Sequence, residues 1–225
     1  MWLFDLDNTL HNASRSAFGG ITGAMTEFIE RELLLDREHA DALRRRYWLR
    51  YGATLLGLVR HHAVRAEHFL HETHRLPGLE GLVQGHRHDL AALRRLPGQR
   101  WILTNAPLAY TARVLGVLGI AGWFDGILTI ENMAMFGQLR PKPDARMLRR
   151  LAARLKVHPS RCILVEDTLE HQRAARRVGM ATAWMQRWLG AATPVNPADR
   201  PRLARCPAYV DCRVRSLRDL RRRMS

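Results

Sequence analysis

Lysine is nearly absent from this 225-residue chain: of 36 basic side chains only Lys142 and Lys156 are lysine, and the rest are arginine. Cysteine is scarce too. Cys162, Cys206 and Cys212 form an odd set without CxxC spacing, which argues against both a disulfide framework and a zinc site. No apolar run approaches the ~20 residues of a membrane span, and Asp5 and Asp7 interrupt the start where a signal peptide would stay apolar. The expectation is therefore a cytoplasmic protein without a membrane partner. Internal repeats and low-complexity tracts are lacking as well. The longest basic runs, Arg44-Arg45-Arg46 and Arg221-Arg222-Arg223, lack the regular aromatic spacing that single-strand nucleic-acid binders use for stacking.

What is present is an ordinary globular composition, 47% hydrophobic and 25% charged, which excludes a disordered or collagen-like chain. The length allows a real core and a modest second domain. The formal net charge of +15 attracts anions in general. Arginine spread over solvated faces accounts for most of it.

Short apolar runs recur along the chain as candidate buried strands: Trp2 to Leu6, Trp101 to Leu103, Ile127 to Ile130, Cys162 to Val165, Ala181 to Met185 and Ala208 to Val214. Helical patterns lie between most of them. Val114, Leu115 and Leu118 share one face; Met147, Leu148, Leu151 and Leu155 share another. Leu169 to Val178 reads as a helix stopped by Gly179. Strands alternating with helices predict an α/β fold with a parallel sheet covered on both faces.

Residues 13–80 break the alternation. They read as helices over Ile21–Leu35, Arg37–Leu49, Leu55–His62 and Ala66–Arg75, with Pro77-Gly78 and Gly81 punctuating the exit. The expected organisation is a core of residues 1–12 and 81–225 with an all-helical cap, 13–80, inserted after the first strand. Ligands bind at the carboxyl ends of parallel strands, where a cap can exclude water. Gly190 to Pro207 reads as a surface loop.

Four clusters follow strand-like runs. Asp5-Leu6-Asp7-Asn8-Thr9-Leu10-His11 places two carboxylates two apart at a strand end. One suits nucleophilic attack on phosphorus, the other general acid and base work. Leu103-Thr104-Asn105 adds a hydroxyl and an amide. Arg140-Pro141-Lys142-Pro143-Asp144 supplies a compact point charge, in contrast to the planar fork of arginine. Val165-Glu166-Asp167-Thr168 adds adjacent acids.

In this order the clusters resemble the haloacid dehalogenase-like superfamily, in its phosphatase branch, over nearly the whole chain. The resemblance implies a Rossmann-like, doubly wound core with an inserted helical cap, and a Mg²⁺-dependent phosphomonoester hydrolase working through an aspartyl phosphate. It implies Asp5 as nucleophile and Asp7 as acid and base. Thr104, Asn105 and Lys142 would bind phosphate. Asp5, Asp167, Glu166 through water and the Asp7 backbone carbonyl would hold the metal. Dehalogenase members lack the second aspartate, having no alkoxide to protonate, so Asp7 favours phosphate esters over carbon–halogen bonds. Tyr51-Gly52-Ala53-Thr54-Leu55-Leu56-Gly57-Leu58 is similar to a segment of the pyrimidine 5′-nucleotidase subgroup. His11 departs from the tyrosine usual there, and Glu166-Asp167 departs from Asp-Asp.

The expected partner is a small phosphorylated substrate, a nucleoside 5′-monophosphate first, bound by a monomer or homodimer. A sugar-phosphate or phosphoglycolate-type phosphatase, or a phosphomutase, is the alternative. A basic nucleic-acid binder on the same fold is the remote one, and no specific nucleic acid is expected. His61, His62, His68, His71 and His74 crowd one region, and the last three fall near one helical stripe. Their spacing is not that of HExxH, and a polar helix face is the expected reading. Gly52 and Gly57 read as helix boundaries.

Overall fold

The computed structural model describes residues 1–189 and 206–223. The stretch expected as a surface loop, Gly190 to Pro207, lies outside the described residues as far as position 205. The chain divides into two compact units, Met1–Ser16 with Val83–Ser225, and Ala17–Leu82.

The chain opens with β1 (Trp2–Phe4) and a short turn of helix, α1 (Ala13–Ser16). Four helices follow: α2 (Phe18–Leu33), α3 (Arg37–Tyr51), α4 (Thr54–His62) and α5 (Ala66–His74). After two short turns, α6 (Leu79–Leu82) and α7 (Arg87–Leu90), the α/β alternation resumes. It runs through β2 (Arg100–Leu103), α8 (Leu108–Leu118), β3 (Gly126–Leu128), a hairpin of β4 (Ala134–Met135) and β5 (Gln138–Leu139), then α9 (Ala145–Arg154). It closes with β6 (Ile163–Glu166), α10 (Leu169–Arg177), β7 (Ala181–Met185) and β8 (Cys212–Val214).

Six strands pair in the order β3-β2-β1-β6-β7-β8, and every pair is parallel. This is the doubly wound, Rossmann-like fold expected from the alternation. Covering helices on both faces explains why Leu3, Phe4, Leu103, Leu164 and Val165 are all buried: a parallel strand has no wet face, so it reads as a continuous apolar run. Beside the sheet, Met147, Leu148 and Leu151 of α9 and Ala174 and Ala175 of α10 pack with Leu3, Leu103, Leu128 and Leu164. The strand order reverses at β1. In such sheets the crevice beyond the strand ends at that point receives the ligand.

The structure refines several expected boundaries. The strand begun at Ile127 ends at Leu128, because Thr129 caps a single 3₁₀ turn, Ile130–Asn132, and its N–H donates to Asn132 Oδ1 at 2.9 Å. The run from Ala208 narrows to Cys212–Val214. Asp211, just before it, is tied to Thr182 through hydrogen bonds of 2.9 and 3.0 Å. The β4–β5 hairpin was not legible; its turn, Phe136 and Gly137, takes left-handed φ values of 51° and 73°, as a tight hairpin turn requires.

In the helical unit Phe28 meets Phe69 edge to face at 5.1 Å. Gly52 is the expected boundary, ending α3 at φ 79°. Gly57 is not. It sits buried inside α4, and a Cβ there would fall 2.2 Å from the Tyr47 ring, so it lets two helices approach. The three described cysteines are free. Among the described residues no helix is long and apolar enough to cross a membrane.

Candidate active site

β1 ends at Phe4, but the Asp5 N–H still donates to Val165 O on β6 at 3.0 Å. Asp5 is thereby anchored at the sheet edge between two central strands. The chain then turns back on itself. Leu10 N donates to Leu6 O at 2.9 Å, and Asn8 takes φ 53°, a left-handed conformation that asparagine tolerates better than most residues. The Asn8 side chain locks the turn by donating to Ser14 Oγ at 2.8 Å and accepting from Ser14 N at 3.0 Å. This geometry sets His11 Nε2 2.8 Å from Asp7 Oδ1. From α8, the Tyr110 hydroxyl donates to the same oxygen at 2.8 Å.

Lys142 arrives from the loop before α9. Asp144 begins that helix by accepting from Arg146 N and Met147 N at 2.8 and 3.0 Å. The Asn105 amide clasps the Lys142 backbone, donating to its carbonyl and accepting from its N–H, each at 2.9 Å. Held at both ends, Lys142 is 2% exposed, with Nζ 2.7 Å from Asp5 Oδ1 and 2.6 Å from Glu166 Oε2. Glu166 closes β6 and Asp167 follows it. Asp5, Glu166 and Asp167 each offer a carboxylate oxygen, all within 4.8 Å of one another.

Several neighbours fix the acidic pair. Thr168 N donates to Glu166 Oε1 at 3.3 Å, and Thr168 Oγ1 to Asp167 Oδ1 at 3.2 Å. His171 Nδ1 lies 3.0 Å from Glu166 Oε2, within ion-pair range but not aligned for a hydrogen bond. Gln172 donates to Glu166 O and Ala183 O, both at 2.8 Å. Trp184 Nε1 donates to Asp167 O at 2.8 Å.

The electrostatics follow from crowding three carboxylates around one lysine out of water. Burial pushes Asp5 up to about 8, and the Glu166 charge adds to it while Lys142 opposes. Burial, then Glu166 and Asp5, hold Asp167 well above the usual carboxylate range. Burial alone would raise Glu166 too, but Lys142 and His171 overcome it and hold Glu166 below that range. Burial likewise opposes the charge on Lys142, and Asp5 and Glu166 outweigh it, so Lys142 stays cationic. A hard divalent cation fits this donor set: the ligands are all oxygen, and one lysine leaves the three carboxylates under-neutralised.

The structure thus brings Asp5, Lys142, Glu166 and Asp167 into one group. Asp7, two residues from Asp5, has its carboxylate tied to His11 and Tyr110. Thr104 follows β2, the strand next to β1, and its Oγ1 accepts from Ala106 N at 3.1 Å. The Asn105 amide is engaged on the Lys142 backbone. Tyr110, His171 and Gln172 carried no recognisable signal in the sequence, since each sits on a helix outside the motifs. His11 was visible only as a departure from a resembled segment.

Three of the crowded histidines have other partners. His61 Nε2 pairs with the Tyr51 hydroxyl and His62 Nε2, at 2.7 Å, with that of Tyr47. His68 packs edge-on against Phe28 at 5.3 Å. Among the described residues the one grouping with metal-ligand geometry is Asp5, Glu166 and Asp167.

Comparison with known proteins gives this geometry a family. The model for haloacid dehalogenase-like hydrolases matches residues 2–179. Phosphate metabolism protein 8 of Saccharomyces cerevisiae is 26% identical over 139 residues; the match covers 56% of this chain and 42% of the yeast protein, less than half of that relative's length. Among solved structures, a HAD phosphatase from Thermococcus onnurineus has a TM-score of 0.63 at 19% identity, covering 100% of this chain and 97% of that one. CbbY from Rhodobacter sphaeroides, solved in complex with phosphate, gives 0.64 at 19%, covering 97% and 95%. L-2-haloacid dehalogenase from Xanthobacter autotrophicus gives 0.57 at 17%, covering 98% and 96%. At these identities the structures establish the shared fold, and the family model, spanning the sheet strands from β1 through β6, establishes the kinship: this chain belongs to the haloacid dehalogenase-like hydrolases.

Proposed function

We propose that the protein is a Mg²⁺-dependent phosphomonoester hydrolase working through an aspartyl phosphate on Asp5. The observation that carries this reading is the placement of Lys142 Nζ between Asp5 and Glu166, at 2.7 and 2.6 Å, with Asp7 two residues beyond the nucleophile. Phosphoryl transfer asks little covalent chemistry of a protein; it asks for positioning and for neutralised oxygens.

In the first step an Asp5 carboxylate oxygen attacks phosphorus, the bond from phosphorus to the ester oxygen breaks, and Asp7 gives that oxygen its proton. In the second, Asp7 takes a proton from water as the water oxygen attacks phosphorus, the bond to Asp5 breaks, and inorganic phosphate leaves. Lys142 and the Thr104 hydroxyl bind phosphoryl oxygens, and Asn105 orients Lys142 by its clasp. Asp5 and Asp167, Glu166 through water and the Asp7 backbone carbonyl would hold Mg²⁺, which when bound offsets charge on the transferring group. Glu166 suits an indirect role, because both its oxygens already have protein partners.

The proposed substrate class is nucleoside 5′-monophosphates, supported by the similarity of Tyr51–Leu58 to the pyrimidine 5′-nucleotidase segment. The helical unit, inserted just after the loop that carries Asp5 and Asp7, is proposed as the cap that meets the leaving group. The complex of CbbY with phosphate supports a phosphoryl ligand on this fold; sugar phosphates stand as the second class. Cytoplasmic location goes with such substrates. Phosphate release over a panel of nucleotide, sugar and glycolate phosphates, with Mg²⁺ and with chelator, tests the reading. Release from at least one ester, lost on chelation, is expected. Release undiminished by chelator, or none from any ester, contradicts it.

A further inference from the structure

Asp7 is held by one oxygen only. Oδ1 accepts from Tyr110 Oη and lies against His11 Nε2, both at 2.8 Å, and among the described residues no partner is found for Oδ2. His11 is fully buried and Tyr110 is 1% exposed, while the Asp7 side chain keeps 19% of its surface. The two donors come from elements far apart in the chain, the turn after β1 and the first turns of α8. A carboxylate oxygen accepts, so the imidazole nitrogen facing it carries the hydrogen. The far side of that ring is fixed as well: His11 Nδ1 faces Ser16 Oγ at 3.5 Å, and the Ser16 hydroxyl donates to Asn12 O at 2.9 Å. Burial, and then the Asp7 charge, push the Tyr110 phenol far up, so it remains a donor.

We infer that His11 and Tyr110 are positioning residues for proton transfer: by occupying Oδ1 with two donors they confine the mobile proton of Asp7 to Oδ2. In a carboxylic acid one oxygen accepts as a carbonyl and the other bears the proton. Two fixed donors at Oδ1 make it the carbonyl oxygen, which leaves Oδ2 to protonate the leaving group and later to receive the proton of water. The paired donors also fix the rotation of the carboxyl plane. Misplacement of a catalytic group by about 1 Å can cost on the order of 10²-fold.

This rests on the phosphatase reading, with Asp7 as acid, and a leaving-group comparison separates the two. kcat/KM reports the steps from free enzyme and substrate through irreversible expulsion of the leaving group, and none after it. 4-Nitrophenolate leaves with little need of a proton; an alkoxide needs one. The variants are Tyr110→Phe, His11→Phe and the double, with His11→Gln as a replacement that keeps an N–H donor. The substrates are 4-nitrophenyl phosphate and two alkyl phosphates, uridine 5′-monophosphate and glycerol 3-phosphate. In the double variant kcat/KM for the alkyl ester falls by about 10²-fold, in the range general acid catalysis contributes. The nitrophenyl ester falls far less, so the ratio of the two shifts by about tenfold or more. His11→Gln recovers part of the shift.

Equal losses on both esters, or an unmoved ratio in Tyr110→Phe, overturn the positioning role while wild-type turnover upholds the phosphatase. If wild type releases phosphate from none of these esters and from no other ester of the wider panel, the phosphatase reading itself falls, and the inference with it. Tyr110→Phe removes a single oxygen from a retained ring, so it carries the test should the His11 variants fail to fold.

Discussion

Lys142 and Arg60 are both cations beside polar partners, yet their settings differ in kind. Lys142 is 2% exposed and meets two buried carboxylates at 2.7 and 2.6 Å. In the helical unit Arg46, Arg50 and Arg60, all exposed, lie 5.4–5.8 Å over the rings of Tyr47 and Tyr51, and His61 and His62 cap the tyrosine hydroxyls. The second cluster is richer in chemical side chains and more conspicuous in the sequence. The first is where water has been removed and charge left under-compensated, so Asp5 and Asp167 are held far above the usual carboxylate range; in the second, partial burial, then His61 and Arg46, lower His62, and the exposed charges are screened. Chemistry is to be sought where burial makes charge costly, and only secondarily where reactive residue types are abundant.

The largest expected effect sharpens that contrast. Lys142→Ala strips Asp5 and Glu166 of their shared cation, and breaking such a buried pair costs about 3 kcal/mol of stability, together with phosphate release. Denaturant unfolding of the two proteins measures it. A loss as small as that of a surface ion pair would erase the distinction between the two regions.

Next comes pH. Asp5 in the folded, metal-free protein sits at about 8, raised by burial above its ordinary 3.8. Between those values the folded state holds more protons than the unfolded one, so the contribution of Asp5 to stability falls as pH rises from about 4 to about 8. Asp5→Asn cannot ionise. In chelator it should gain on wild type across that window, by on the order of 2 kcal/mol at the upper end, and Mg²⁺ should narrow the gap. A stability difference flat from pH 4 to 8 contradicts the buried-charge account.

The smallest effect lies in the exposed cluster. Tyr51→Phe removes the hydroxyl that meets His61 and should change stability by less than about 0.5 kcal/mol. A loss above about 1 kcal/mol would show that the exposed cluster is structural after all.

What could be read in the sequence follows the same division. The parallel sheet was legible because buried parallel strands leave continuous apolar runs, and Asp5, Lys142, Glu166 and Asp167 were legible because each directly follows such a run or sits in a short motif. The positioning contacts were not. Tyr110 reaches Asp7 across 103 positions of sequence, and Asn105 reaches the Lys142 backbone across 37. No local pattern encodes either distance. Gly57 misled for a related reason: a glycine's local meaning is a boundary, while here its use is the space it leaves for Tyr47. The histidine spacing suggested a stripe, but His68 packs on Phe28 and His74 meets Thr73 and the Leu70 carbonyl, partners within the helical unit.

The central claim is that Asp5 takes the phosphoryl group, and an acid quench during turnover tests it most directly. Wild-type protein mixed with Mg²⁺ and its best phosphate monoester, quenched within a turnover and digested, should carry one added phosphoryl group on the peptide containing Asp5. The Asp5→Asn protein should carry none. Phosphate on a different residue, or the same label on the Asp5→Asn chain, would contradict the account.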